Sequence, residues 1–149
     1  LMGVYGGNQG YIQEAWTDEA DFADVNASVK VRQLTAGIDS AGCLSVRHDA
    51  DTGAYSLCIS ADGQTWASYY YADSSGTWRI EDLWVEEYTS ESRQPTQWNT
   101  LEITTQGNRL WFIVNNIVMG SVTHNARSTG AVAVSVTSWD PAQESEFHF

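Results

Sequence analysis

The sequence predicts an all-β domain in which two antiparallel sheets pack face to face. Apolar and polar residues alternate with a period of two along most of the 149 residues, as they do in strands with one buried and one exposed face. Clusters of Gly, Asn, Asp and Ser separate these segments, and none of them has convincing helical periodicity. About ten strands without crossover helices imply a two-sheet sandwich.

Individual segments support this prediction. In residues 25–32 the valines share one face, and Asn26, Ser28 and the two basic residues share the other, as in a half-buried strand. Residues 42–59 predict a hairpin around the turn 49–53, and Asn115-Asn116 predicts a second tight turn between 110–114 and 117–122. Further strands are expected near 64–71, 77–86, 98–105, 130–137 and 145–149.

Length and composition favour one ordered domain over residues 1–149. A hydrophobic content of 42%, with 7 Trp, 7 Tyr and 4 Phe, excludes a disordered chain. The net charge of -12 repels phosphate backbones and anionic lipid headgroups, so nucleic acid and membrane surfaces are poor partners. No apolar run approaches the roughly 20 residues that cross a bilayer, so we expect no membrane insertion.

Cys43 and Cys58 are the two cysteines of the chain, and the predicted hairpin places them opposite each other. Both lie off the apolar positions of their strands. A cross-strand disulfide and two small buried thiols both fit this placement. We favour the disulfide, which would indicate an oxidising compartment.

A series of short motifs in order along the chain resembles the concanavalin A-like lectin/glucanase superfamily, especially the jelly-roll domains of bacterial surface and sugar-active proteins. The motifs are Asp21-Phe22-Ala23-Asp24, residues 42–47 and 53–57, Ala61-Asp62-Gly63, Trp98-Asn99-Thr100-Leu101, residues 107–115, Gly130-Ala131-Val132 and Phe147-His148-Phe149. The resemblance covers most of the chain. It implies a jelly-roll sandwich and favours glycan contact, although the fold also hosts hydrolases and adhesion domains.

The resemblance carries two further expectations. Domains of this type begin with a strand upstream of those seen here, so a first strand is expected to be missing or supplied by another chain. They often hold a structural calcium ion, and the densest acidic cluster is Asp18, Glu19, Asp21 and Asp24. For a second acidic pair, Asp49 and Asp51, capping of a hairpin turn is the preferred interpretation.

The sequence argues against catalysis. Retaining sugar hydrolysis needs two carboxyl groups about 5 Å apart, and the Glu-x-Asp-x-Glu pattern that supplies them in laminarinase-like members is absent. The carboxylates at the ends of segment 81–87 would stand about 20 Å apart on an extended strand. The three histidines lie in unrelated segments, with no strained serine turn and no zinc spacing.

Aromatic residues are the strongest functional signal. Six rings crowd two neighbouring segments: Trp66, Tyr69, Tyr70, Tyr71, Trp78 and Trp84. Three consecutive tyrosines cannot all face a core, so at least one ring points outward. A sugar ring stacks on such a ring while polar groups bind its hydroxyls. The predicted ligand-binding residues on an outer sheet face are Arg47, Trp66, Tyr70, Asp82 and Trp84, although packing roles are the alternative for each ring.

We therefore expect a non-catalytic, extracellular or cell-surface binding module for carbohydrate or another extracellular ligand. The alternative is a structural subunit of a surface layer or filament, a homo-oligomer that assembles through strand edges. A glycoside hydrolase is the third and least favoured hypothesis.

Overall fold

The computed structural model describes residues 2–4, 11–17, 21–35, 39–86, 96–139 and 145–149, and within them it contains twelve strands and no helix. Across the first sheet lie β1 (Met2–Val4), β12 (Ser145–His148), β3 (Asn26–Thr35), β8 (Asn99–Gln106), β9 (Arg109–Val114) and β10 (Ile117–Thr123). Across the second lie β2 (Tyr11–Trp16), β11 (Ala131–Ser138), β4 (Ser40–Asp49), β5 (Gly53–Ser60), β6 (Thr65–Ala72) and β7 (Trp78–Glu86). In this part of the chain there is no helical segment of the length and apolarity that a membrane span requires.

Neighbouring strands are antiparallel throughout, which confirms the predicted two-sheet sandwich. The count exceeds the expected ten because the opening segment supplies two strands. β1 pairs with β12 at an edge of the first sheet, and β2 pairs with β11 at an edge of the second. The opening segment therefore supplies an edge strand to each sheet, and a missing or exchanged first strand stays a prediction.

The core lies between the sheets and follows the period of two. On β3, Ala27 and Val31 are buried while the flanking Asn26, Ser28 and Lys30 are exposed. Leu44, Leu57, Leu101, Ile103, Leu110 and Phe112 are among the side chains that the two sheets bury completely. Burial of each large apolar side chain contributes roughly 1.5–3 kcal/mol, so this layer supplies most of the driving force for folding.

Both predicted hairpin turns form. Asn115 and Asn116 adopt φ values of 50° and 66°, which their short side chains tolerate, and connect β9 to β10. In the β4–β5 turn, Asp49 Oδ1 accepts hydrogen bonds from the Asp51 and Thr52 amides at 3.0 and 2.9 Å. Asp49 thus caps this turn, as the sequence indicated.

Two β-bulges change which residues face outward. On β4 the register shifts between Val46 and Asp49, where Arg47 has a φ of 51°. On β7 it shifts between Asp82, opposite Ser68, and Trp84, opposite Ala67. One extra residue reverses the alternation beyond it. Side-chain directions on β4 and β7 therefore cannot be extrapolated across the bulges.

The first bulge sends Arg47 into the end of the sandwich. Its guanidinium is 1% exposed and donates to the backbone carbonyls of Ala23, Arg127 and Gly107. A Cβ at Gly130 would lie 2.3 Å from the Arg47 carbonyl carbon, so only glycine fits beside this turn. Arg47 therefore joins three loops of the two sheets, and removing it would break the hydrogen bonds that hold these loops together.

A substitution at Gly53 can test how closely β5 and β6 approach each other. It has a φ of 122°, and a Cβ there would lie 2.0 Å from the Tyr70 carbonyl oxygen. Gly53→Ala is expected to lower the unfolding free energy by at least about 2 kcal/mol, because backbone strain and steric overlap add. The control is Gly76→Ala, whose φ is 77° and whose Cβ would meet nothing within 4 Å. Urea unfolding of the two variants measures both effects, and equal losses would contradict the predicted overlap.

Candidate functional site

The outer face of the second sheet has an unusually small-residue floor. On β4 and β5 the outward positions hold Ala41 opposite Ser60, Cys43 opposite Cys58, and Ser45 opposite Ser56. The hydroxyls of Ser45 and Ser56 are 2.8 Å apart and hydrogen-bond each other. Because no large side chain rises from these six positions, a groove runs over them between larger side chains on the flanking strands.

The predicted disulfide is present and belongs to this floor. Cys43 and Cys58 are bonded, with their Cα atoms 4.1 Å apart. Their side chains form a small apolar cluster with Ala41, and Trp66 packs against it. The disulfide thus supports the position of an aromatic ring at the surface.

Three connected depressions form what we call the outer groove. The tryptophan cleft, about 400 Å³, is lined by Asp39, Ser60, Asp62, Gln64, Trp66, Asp82 and Trp139. The central cleft, about 230 Å³, lies over the disulfide. It shares Trp66 and Trp139 with the tryptophan cleft. The tyrosine cleft, about 340 Å³, is lined by Glu14, Ala50, Tyr70, Trp78, Arg79 and Ile80. The central cleft also contains Glu14, Tyr70 and Ile80, so the three depressions are continuous.

Two indole rings form the wall of the tryptophan cleft. The Trp66 and Trp139 centroids are 5.8 Å apart with the planes tilted by 49°. The Trp139 amide donates to the Asp39 carbonyl at 2.8 Å, which fixes the chain beyond β11. Trp139 is 51% exposed, so half of its surface is available to a ligand.

Asp62 lies at the edge of the same cleft in the β5–β6 turn. Its Oδ1 accepts from the Ser60 hydroxyl and from the Gln64 amide. The hydrogen bond from Ser60 is the main reason that the pKa of Asp62 is lowered, with the backbone amides adding to it. Asp62 therefore remains a carboxylate well into the acidic range.

At the other end, a hydrogen-bonded bridge crosses the groove. Glu14 Oε1 accepts from the Tyr70 hydroxyl at 3.0 Å, and Glu14 Oε2 lies 3.0 Å from Nε2 of the buried His48. Burial raises the pKa of Tyr70, and the Glu14 carboxylate raises it further, so the hydroxyl stays protonated and donates. Burial acts to raise the pKa of Glu14, but the hydrogen bond and charge of His48, with the hydrogen bond from Tyr70, lower it overall. The bridge joins β2, β4 and β6 and fixes the Tyr70 ring beside Trp78.

The structure brings together three of the predicted ligand-binding residues. Trp66 and Tyr70 project from β6 and line the groove, and Asp82 lines it from β7. Tyr70 is the outward ring of the three consecutive tyrosines, since Tyr69 and Tyr71 stack with centroids 5.0 Å apart on the inner side. Ligand binding by these residues stays a prediction.

The placement of the other two predicted residues on the outer face is wrong. Arg47 is buried among backbone carbonyls at the end of the sandwich, and Trp84 packs against the core with its ring beside Gly120 of β10. Both errors come from the β-bulges, which interrupt the strict alternation assumed for β4 and β7.

Sequence reasoning missed several groove residues, above all Glu14, Asp39 and Trp139. They are distant in sequence from the aromatic segments and reach the groove through the pairing of β2 with β11 and β11 with β4. Asp62 carried a signal, since Ala61-Asp62-Gly63 is one of the superfamily-like motifs. Trp139 had none beyond its position directly after a predicted strand.

The structure describes two of the four residues of the predicted calcium cluster. Asp18 and Glu19 lie outside the described residues. Asp21 and Asp24 are exposed, and Asp24 Oδ1 accepts from the Gly107 amide at 2.7 Å. Among the residues that the structure describes, no three His, Cys, Asp or Glu side chains are grouped so that they could hold a metal ion. Calcium binding at the four acidic residues remains a prediction.

No protein-family model matches the sequence, and no curated protein is similar to it at a significant level. Solved structures do match the fold. The carbohydrate binding module CBM66 from Bacillus subtilis superposes with a TM-score of 0.64 and 11% identity, covering 96% of this chain and 100% of that chain.

Two further solved structures that match the fold are a glycoside hydrolase and a galectin. A glycoside hydrolase family 16 endo-glucanase from Bacteroides ovatus has a TM-score of 0.62 and 9% identity, covering 84% of this chain and 59% of that chain. Sheep galectin-11 has a TM-score of 0.53 and 14% identity, covering 96% and 100%. Identities this low establish the fold alone. The chain has a concanavalin A-like jelly-roll fold, as its motifs predicted.

The disulfide is expected to contribute strongly to stability. A bridge that closes a loop with a sequence separation of 15 contributes about 3 kcal/mol by restricting the unfolded chain. Replacing both Cys43 and Cys58 by Ala should therefore lower the unfolding free energy by about that amount. Reducing agent should lower the urea midpoint of the natural chain but leave the double variant unchanged. An equal midpoint with and without reductant in the natural chain would contradict this.

The Glu14 bridge predicts a pH-dependent contribution to stability. Because the pKa of Glu14 is lower in the folded than in the unfolded chain, its stabilising effect is complete above the ordinary value of 4.5 and is lost as the pH falls. Glu14→Gln should cost about 1–2 kcal/mol near pH 6 and clearly less near pH 3. Urea unfolding at both pH values measures the difference, and a cost independent of pH would show that the charge is unimportant.

Proposed function

We propose that this chain is a non-catalytic, extracellular carbohydrate-binding module whose ligand lies in the outer groove. The observation that carries the proposal is the row of aromatic rings, of which Trp78 and Trp139 are exposed and Trp66 and Tyr70 half-buried, along a groove with a small-residue floor that includes several serines. Trp66 and Tyr70 stand about 13 Å apart on β6, given a rise of roughly 3.3 Å per residue, and Trp139 and Trp78 extend the row at either end. This length exceeds one sugar ring and suits an oligosaccharide.

The chemistry of the groove supports this ligand class. Indole and phenol rings offer flat apolar faces on which the C–H face of a sugar ring can stack. Between them, the serines of the floor and the Gln64 amide offer donors and acceptors for hydroxyl groups. The fold similarity to a carbohydrate binding module and a galectin supports such a ligand, although hydrolases share the fold.

Two carboxylates of the groove are unsuited to acid catalysis. A general acid in glycoside hydrolysis needs a raised pKa, whereas the pKa values of Glu14 and Asp62 are lowered. Glu14 is also engaged through both oxygens, by His48 and Tyr70. These features favour binding without turnover.

The disulfide supports the extracellular part of the proposal. Cross-strand disulfides persist in oxidising compartments and are rare where glutathione and thioredoxin keep thiols reduced. The net charge of -12 also favours solubility outside the cell.

The exposed tryptophans provide a matched test of the binding face. Trp139 at the groove and Trp98 on the first sheet, stacked with Arg32, are 51% and 49% exposed. Trp139→Ala is expected to weaken binding of the best ligand in a panel of soluble polysaccharides at least tenfold, about 1.4 kcal/mol, because it removes a stacking surface. Trp98→Ala should leave the affinity unchanged. Affinity electrophoresis and intrinsic fluorescence provide the measurement.

The alternatives give different results. Release of reducing ends from any polysaccharide during prolonged incubation would overturn the non-catalytic assignment. Equal losses in both tryptophan variants would place the ligand elsewhere. If the chain forms large assemblies in light scattering and binds no polysaccharide of the panel, the structural subunit of a surface layer or filament would be favoured.

A further inference from the structure

The tryptophan cleft differs from the remainder of the groove in its charge. Three carboxylates, those of Asp39, Asp62 and Asp82, line it together with the two indole rings, and none of the described lining residues is basic. At the opposite end, the tyrosine cleft contains the guanidinium of Arg79, whose Nε donates to Asp73 Oδ2 at 2.9 Å, and the carboxylate of Glu14 there is held by Tyr70 and His48. Three carboxylates without a basic residue among the described lining are therefore gathered at one end of the groove, and a single carboxylate lines the other end.

We propose that the tryptophan cleft selects glycans that carry a free, protonated amino group, such as oligomers of glucosamine. The inference rests on the proposed function and specifies its ligand. An ammonium group near Asp82 and Asp62 would form charge-assisted hydrogen bonds with their oxygens. The same group lies favourably against the face of Trp66 or Trp139, since aromatic faces attract cations. A uronate or sulfate ester in the same place would be repelled by these carboxylates.

One carboxylate of the cleft, that of Asp62, keeps its charge at the mildly acidic pH where amines are fully protonated. The Ser60 hydroxyl and the Gln64 amide orient the Asp62 carboxylate and keep it ionised in mild acid. Asp82 and Asp39 are exposed at the rim, so their attraction to an amine is screened by salt. Preference for the amino sugar should therefore decrease as the ionic strength rises.

The test uses three β-1,4-linked oligosaccharides of equal length that differ at carbon 2: glucosamine, N-acetylglucosamine and glucose oligomers. Calorimetric titration is performed at mildly acidic pH in low and in high salt. We expect the glucosamine oligomer to bind at least tenfold more tightly than the glucose oligomer in low salt. This ratio should fall severalfold in high salt.

Asp82→Asn is the diagnostic variant, and Glu102→Gln on the outer face of the first sheet is its control. The first should reduce the preference for the glucosamine oligomer at least threefold with little effect on the glucose oligomer. The second should change neither affinity. The double variant Asp39→Asn with Asp82→Asn should reduce the preference further. It tests the proposal even if the Asp82 carboxylate alone contributes little.

The outcomes separate this inference from the proposed function. Equal or tighter binding of the glucose or N-acetylglucosamine oligomer, lost in Trp139→Ala, would overturn the amine selectivity while supporting carbohydrate binding in the groove. Unchanged preference in the double aspartate variant would also overturn it. Binding of none of the three oligomers would overturn it as well, and the polysaccharide panel would then decide the proposed function on its own.

Discussion

The outer groove depends on the difference in side-chain size between the two faces of β4 and β5. Leu44 and Leu57 face the core, where they are completely buried, while the neighbouring outward positions hold cysteine, serine and alanine. A single large aliphatic residue in place of Ser56 would fill the central cleft, which Ser56 lines. The same two strands therefore supply both the centre of the core and the floor of the groove, and the period of two keeps these roles separate.

The sequence was sufficient to predict features that depend on neighbouring residues. The two hairpins, the turn cap at Asp49 and the cross-strand disulfide all follow from short-range spacing and turn chemistry. It was insufficient for Arg47 and Trp84, because nothing local in their segments marks the β-bulges that turn them inward. It was also insufficient for Glu14 and Trp139, which meet the aromatic strands through long-range sheet pairing.

The two ends of the groove differ in how firmly their side chains are held. The Tyr70 hydroxyl is fixed by Glu14, and Glu14 by the buried His48, so this end is preorganised before a ligand arrives. At the other end Trp139 is half exposed, and Asp82 is an exposed residue at the rim. A ligand would gain affinity from the rigid end without loss of side-chain freedom, while the exposed end can adjust to substituents on a sugar ring.

The tight approach of Gly130 to the backbone at Arg47 has a consequence for how this protein can evolve. Positions of this kind permit one residue, so they must stay constant while the scaffold is kept. The rim residues Asp39, Asp62 and Asp82, in contrast, are exposed, and their exchange removes little buried apolar contact. Lineages that inherit this sandwich can therefore vary the chemistry of the groove at low folding cost, and a combinatorial library restricted to rim positions should yield many foldable members.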